Sequence, residues 1–382
     1  MYQFFCFVDV QLSDEQRALQ RSAGEFLAAE CSMEFVRTCM DDPAGSPLAS
    51  QAVWTQMAEL GWMGLVIPEA HGGAGLDAVD LAILLEEMGR VLLPLPFLSN
   101  LIGAQAVALA GSDEVQARLL PKVARGEVRL SLAQLEAGSN WATRVCTTQA
   151  RRDGDAVLLS GTKLFVPDAH TADLLVVLAQ EEAGASLFLV ERRAAGVGVR
   201  RIDFVDPTRP VCEVTLEDVA VGDEARLGAP GAAASVLDSL HDFARVAQSA
   251  EMCGGAQQVL DLSVVYAKTR EQFGRPIGSF QAIAHKCADM FVKVEGARSA
   301  VYYAAWALAA AVPEAHVASC MAKSYCAEAF SQVAAQGIQI HGGLGFTWEQ
   351  DPHLYFKRAK ANEVAFGDIA YTRELAAVEL IG

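Results

Sequence analysis

Between Tyr266 and Met290 the run YAKTREQFGRPIGSFQAIAHKCADM sets Arg270, Phe273 and Gly274 between two strongly helical segments, with Gln281 and His285 just beyond. The spacing of apolar residues predicts helices over about 235–268 and 279–311, a third over 314–337, and a broken one from Pro352 onward. Helices of that length with one apolar stripe each must bury the stripes against one another, so this half of the chain has to form a bundle.

The rest of the chain divides by texture. Ser13 with Gln16 reads as a capping box opening a helix through Ala29. Further helices are predicted over Ser50–Leu60 and Val79–Val91, with Gly72, Gly73 and Gly75 punctuating the loop between them. From about Ser131 to Leu227 short β-rich runs take over: Ala156–Leu159, Leu174–Ala179, Ser186–Val190 and Val211–Leu216, separated by turn residues such as Asp153-Gly154-Asp155. These predict a compact antiparallel β domain. Periodicity alone therefore gives a helical region, a β region and a second helical region.

With 382 residues the chain is long enough for two or three domains, and 52% hydrophobic content supplies a sizeable core. A formal net charge of -17 argues against nucleic acid as a partner, because phosphates would be repelled. The nine cysteines are scattered, with no C-x-x-C pair, which fits small buried hydrophobes in a reducing cytoplasm better than a disulfide frame or a metal site. The opening MYQFFCFVDVQLSDEQ lacks a basic region and reaches Asp9 early, so no secretion signal is expected, and no apolar run reaches membrane-span length.

The chemistry concentrates in two blocks. An arginine presents a planar fork suited to a diphosphate, which is the value of Arg270 beside Phe273 and Gly274. Downstream, Gln339-Ile340-His341-Gly342-Gly343-Leu344-Gly345-Phe346 places two adjacent glycines where backbone can approach a ligand closely. Together, R-x-x-F-G followed by Q-x-x-G-G resembles the C-terminal flavin-binding signature of the acyl-CoA dehydrogenase family. The N-terminal order W-x-x-M-x-x-x-G-W-x-G-L-x-x-P-E with later G-G-x-G and E-E-x-G is similar to that family's helical domain, where the fourth position is usually leucine. The resemblance implies an α+β fold: an N-terminal helical domain over 1–125, a middle antiparallel β domain over 126–230 and a C-terminal four-helix bundle over 231–382. It also implies FAD as cofactor. Arg270 would meet the FAD diphosphate, and Phe273, Gln281, Gln339, Gly342 and Gly343 would serve the FAD held mainly by a neighbouring subunit. The reaction would convert an acyl-CoA to its 2,3-enoyl form, with electrons passed to an acceptor such as an electron transfer flavoprotein.

Such a reaction needs a dry carboxylate to take the proton α to the thioester, and here the sequence departs from the family. The usual base position is Phe366, followed by Gly367 and Asp368. The alternative position, just before an arginine on the first bundle helix, is Ala244 before Arg245. Neither side chain can accept a proton. The ring-side loop, usually T-E-P-x-A-G-S-D, reads Ala133-Gln134-Leu135-Glu136-Ala137-Gly138-Ser139-Asn140; it keeps Ser139 as a flavin-contact candidate but loses the threonine hydroxyl. The strand usually carrying W-I-T has Phe165 and Pro167 in place of the tryptophan and threonine, and proline has no N–H to donate.

Three acids remain near the vacated positions. Glu251 lies two turns after Ala244 in an otherwise small, apolar run, so it is paired, exposed or functional; as a base it would need a pKa raised by burial. Asp242 and Glu363 read as solvated or structural. The positions serving a neighbour's FAD survive while those for this chain's own flavin ring and base are eroded, which implies a heteromeric enzyme whose unlike, homologous partner carries the base. A homomeric dehydrogenase or flavin oxidase relying on Glu251, and a non-catalytic scaffold, are the alternatives. The small residues Ala244, Ala247, Ala250, Gly254 and Gly255 either leave room for a bulky acyl group, such as a steroid side chain, or mark close helix packing.

Overall fold

A computed structural model describes residues 12–42, 48–139, 141 and 146–381; Asn140 and the opening run through Gln11 therefore lie outside the described residues. Six helices open the chain: α1 (Asp14–Glu30), α2 (Met33–Asp41), α3 (Leu48–Glu59), α4 (Ala78–Arg90), α5 (Phe97–Ala110) and α6 (Asp113–Ala124). The Ser13 hydroxyl accepts from Gln16 N–H while the Gln16 side chain accepts from Ser13 N–H, which satisfies two otherwise orphaned donors at the start of α1.

Among the described residues eight strands follow: β1 (Leu130–Ala133), β2 (Gln149–Asp153), β3 (Ala156–Pro167), β4 (Leu174–Glu181), β5 (Gly184–Glu191), β6 (Val197–Ile202), β7 (Val211–Gly222) and β8 (Arg226–Leu227). The sheet runs β6-β7-β3-β2-β4-β5-β8, with β1 also on β4. The sheet is antiparallel as expected except where β4 meets β1 and β2. β1 pairs parallel with β4, Leu130 opposite Leu174, and β2 touches β4 in parallel at Gln149–Gln180. The β2–β3 hairpin intervenes between β1 and β4 and acts as a crossover, which brings the chain back in the same direction.

Both faces of the central strands are buried, and their two-residue period divides them between two cores. Leu175, Val177, Phe188 and Val190 point into the sheet's own core, whereas Val176, Leu178, Leu187 and Leu189 join the cluster shared with the helices. The sheet is thereby clamped onto the helical layers.

The C-terminal half holds α7 (Ala233–Thr269), α8 (Gln281–Ala309), α9 (Ala315–His341), α10 (Pro352–Val364) and α11 (Ile369–Ile381). α7 is the spine, packed against α4, α8 and α9. The small residues on it serve helix crossing, not an open pocket. A methyl added at Gly254 would sit 1.7 Å from the Glu86 carbonyl oxygen on α4, and one at Gly255 would meet the Phe330 ring of α9 at 2.6 Å. Reciprocally, a methyl at Gly89 of α4 would meet the Glu251 carbonyl at 2.0 Å. The space these glycines leave is filled by the neighbouring backbone, so it gives no room to a bulky acyl group.

Between α7 and α8 the chain makes a two-residue hairpin joining β9 (Glu271–Gln272) to β10 (Arg275–Pro276). Phe273 and Gly274 occupy its corner at φ 55° and 76°, the left-handed pair that matches the twist of a tight hairpin. This turn thrusts the Phe273 ring outward, 92% exposed.

Candidate functional site

Two concave sites collect the residues singled out by sequence. The first is an open groove of about 600 Å³ between the α7–α8 hairpin and the end of α9. Arg270, Phe273, Gly342 and Gly343 all line it. α9 ends because Gly342 turns to φ 62°, and a β-carbon built at Gly342 or Gly343 would meet nothing within 4 Å. The groove floor is thus bare, accessible backbone. His341 stacks on Tyr266 with ring centroids 4.3 Å apart and shares a hydrogen bond, Nδ1 to the Gly337 carbonyl, at 2.7 Å, which fixes the wall beside the glycines. An arginine fork over uncovered peptide backbone is a donor set that fits a diphosphate and its attached nucleoside. Gln281 and Gln339 are exposed, as is His285, but none of the three lines the groove.

The second site is a cavity of about 410 Å³ enclosed by α5, the β1 and β3 ends of the sheet, α7 and the segment after α10. Ser139, Phe165, Pro167 and Phe366 line it. The Ser139 hydroxyl is spent locally, accepting from Glu136 N–H and donating to the Glu136 carbonyl, each at 2.8 Å. Phe366 is buried at φ 56°, and its carbonyl accepts from Arg245 Nε at 3.0 Å. Lys323, buried and pushed down to about 7 by that burial, donates to the carbonyls of Asn362 and Glu363 at the end of α10. Asp368, standing where a hydroxyl residue is usual, caps α11 by accepting from Tyr371 N–H at 2.8 Å.

Aromatic side chains fill the space around Phe366. Trp141 lies 5.1 Å from it, ring centre to centre, and donates its indole N–H to the Val364 carbonyl at 2.8 Å. His241 packs edge-on to Trp141 at 5.5 Å and pairs with Gln134 Oε1 at 3.1 Å. Phe165 stands at φ 52° against Phe204. Among the described residues, the side of this cavity around Phe366 therefore presents mainly apolar faces, a poorer donor set for an isoalloxazine than hydroxyl and N–H groups would give. Sequence reasoning missed Trp141 and His241: an isolated aromatic beside a loop carries no periodic signal, and His241 reads as one more position of a long helix.

The three acids near the vacated base positions are all engaged. Glu251 is 4% exposed and accepts from Arg209 at 2.9 and 2.5 Å and from Arg358 at 2.5 Å. Arg358 also donates to Thr208 at 2.6 Å and pairs with Asp206. Burial pushes the Glu251 pKa up, but the two guanidinium charges outweigh it and hold the carboxyl below its usual range. This corrects the expectation of a raised pKa: Glu251 is an ion-paired strut tying α7 to α10 and the β6–β7 loop. It does not line the cavity. Ala244 is fully buried within the helix packing. Asp242 is tied to Arg245, His316 and Ser319. His316 and Cys320 complete a cluster with it, but the Arg245 guanidinium touches both Asp242 and Cys320 and opposes a divalent cation. Glu363 pairs with Lys360 and Ser331. No helix among the described residues is long and apolar enough to cross a membrane.

Comparison with known proteins agrees with this layout along the whole chain. The models described as acyl-CoA dehydrogenase N-terminal, middle and C-terminal domains match residues 13–127, 130–219 and 234–381. The acyl-CoA dehydrogenase IpdE2 of Mycolicibacterium smegmatis is 31% identical over 360 residues, covering 93% of this chain and 96% of that protein. Among solved structures, the ChsE4–ChsE5 complex from Mycobacterium tuberculosis superposes with a TM-score of 0.88 at 28% identity, over 98% of this chain and 99% of the other. A variant of the Tcur3481–Tcur3483 steroid ACAD superposes with 0.86 at 31% identity, over 96% and 98%. Helical layers clamping a β-sheet, the bare-backbone groove and three consecutive domain matches converge: this chain belongs to the acyl-CoA dehydrogenase family.

Proposed function

We propose that this chain is one subunit of an FAD-dependent acyl-CoA dehydrogenase whose unlike, homologous partner supplies the catalytic base. The observation that carries this reading is the asymmetry of the two sites. The groove at Arg270 and Gly342-Gly343 keeps a donor set suited to a diphosphate, whereas the cavity holds Phe366 against Trp141 where a carboxylate is needed. Arg270 would grip the FAD diphosphate at a subunit contact. Gly342 and Gly343 would let the adenosine half lie on the backbone, and Phe273, Gln281 and Gln339 would flank it. Bound FAD supplies the acceptor for the hydride from the β carbon. The partner's carboxylate would take the α proton, and an electron transfer flavoprotein is the fitting final acceptor. Relatives that are two-name complexes, ChsE4–ChsE5 and the Tcur3481–Tcur3483 steroid ACAD, support both the unlike partner and a bulky steroid-type acyl group. The scattered cysteines fit a reducing compartment, so the cytoplasm is the proposed location.

The test is co-expression with a family member that carries the base, followed by flavin content and turnover of the purified complex. The expected outcome is flavin and turnover in the complex, and little or no turnover for this chain alone with any acyl-CoA. A robust rate from the isolated chain would overturn the unlike-subunit reading.

A further inference from the structure

Gln248 on α7 and Asn362 on α10 both line the cavity, and each is only 2% exposed. Each also keeps one side-chain atom without a partner, Gln248 Oε1 and Asn362 Nδ2. Arg209 fixes which atom is which. A guanidinium only donates, so the Asn362 oxygen has to face it, and Arg209 Nη1 lies 3.4 Å from Asn362 Oδ1. Gln248 Nε2 donates to the same oxygen at 3.4 Å. What remains is one unmet amide NH2 group and one unmet carbonyl acceptor on two adjacent amides. Unmet buried polar atoms are costly and rare, so the pair calls for an occupant.

The charges nearby define that occupant. Arg209 and Arg358 are matched by Glu251 and Asp206, and a third buried acid, Asp168, lines the cavity and accepts from the Ser99 hydroxyl at 2.7 Å. No uncompensated cation is left there for a carboxylate. Leu98, Ile102 and Leu132 make the adjoining wall apolar, and a volume of about 410 Å³ lies in the range of small-molecule sites. We infer that this cavity binds an apolar ligand bearing a neutral hydroxyl, whose oxygen accepts from Asn362 Nδ2 and whose proton goes to Gln248 Oε1. A ketone would satisfy only Asn362, and a saturated chain neither amide. The chain would then select an acyl group even though Phe366 cannot act on it. Only the choice of an acyl-CoA as carrier rests on the proposed function; the hydroxyl follows from the two amides.

The experiment uses the purified complex and 2-enoyl-CoAs, the product form, so that no turnover disturbs the titration. Hexenoyl-, octenoyl- and decenoyl-CoA are each titrated calorimetrically as the parent, the terminal alcohol, the terminal ketone and the terminal carboxylate. At one chain length the alcohol is expected to bind about 10- to 100-fold tighter than the parent and tighter than the ketone and the carboxylate, because the parent leaves both amides unmet. Gln248→Leu in this chain alone should bring the alcohol level with the ketone, both still ahead of the parent because Asn362 Nδ2 can donate to either, and Gln248→Met checks the result if the leucine variant melts early. Three results would overturn the inference: no preference at any length, a preference for the carboxylate, or an alcohol preference over the ketone that survives both variants. Flavin content of the complex tests the subunit reading separately, so the two can fail independently.

Discussion

Replacing Glu251 by Gln removes one negative charge from a buried set of two guanidinium groups, Arg209 and Arg358, and two carboxylates, Glu251 and Asp206. The net charge of the set moves from zero to plus one, and the amide N–H₂ is turned toward donors that cannot accept. Breaking a buried pair by removing one partner costs about 3–5 kcal/mol. Arg209 keeps some solvent contact, which screens part of its charge, so the lower end, about 3 kcal/mol, is the expected loss. That is a large share of a total stability of about 5–15 kcal/mol. The assay is denaturant unfolding of the variant and the parent, read as the shift in midpoint at unchanged slope. The pH dependence follows from the sign of the shift. A carboxyl held below its unfolded value stabilises fully above about 4.5, and the contribution is lost as the pH falls through the lower folded value. The gap between parent and variant should therefore be full at neutral pH and close below about pH 4.5. A Glu251→Gln complex that unfolds like the parent yet loses several orders of magnitude in turnover with flavin retained would refute this account and make Glu251 the base.

Arg270→Ala is expected to lower the flavin content of the purified complex, and normal FAD content in that variant would remove the proposed role. Gly254→Ala should destabilise by at least about 1–3 kcal/mol, because the added methyl would meet the Glu86 carbonyl at 1.7 Å in a crossing of two helices; an unchanged unfolding midpoint would contradict the packing. Gly274→Ala should cost only about 1 kcal/mol, since its β-carbon meets nothing and only the φ of 76° is penalised. The hydrogen bond from His316 to Asp242 lifts the imidazole pKa to about 10, so the pair stabilises fully below about pH 6.5 and loses its contribution as the pH rises through about 10. His316→Ala should flatten that alkaline limb of the stability profile, and an unchanged limb would show the pair to be inert.

How much of this was legible in the sequence depended on the range of the interaction. Long helices announced themselves because their stripe repeats over many turns, and the predicted span of 235–268 compares with Ala233–Thr269 observed. The Ser13–Gln16 box was readable because both partners lie within one turn. The parallel seating of β1 on β4 was not, since pairing direction depends on the path between strands and leaves no mark in either. The small residues of α7 were ambiguous for a related reason. A glycine that admits a ligand and one that admits a neighbouring helix look identical until the neighbour is placed. Glu251 was recognised as anomalous, but its partners Arg209 and Arg358 lie 42 and 107 residues away, so neither the pairing nor the lowered pKa could be foreseen.

The backbone at the two sites carries a further argument. Among the described residues, seven other than glycine stand at positive φ, and four of them, Phe165, Asp168, Phe273 and Phe366, line the groove or the cavity. Each left-handed residue with a β-carbon costs roughly 1–2 kcal/mol, which the surroundings must offset. At Phe366 the offset is visible: Arg245 holds its carbonyl, Lys323 caps the helix before it and Asp368 caps the helix after it. A loop that presents Phe366 has no proton to transfer and needs no strained path for that purpose. This one keeps its strained path and its three anchors while presenting a ring packed on Trp141. The shape of the cavity wall is therefore maintained independently of proton transfer. That is the behaviour expected of a surface that still has to fit a ligand or a partner.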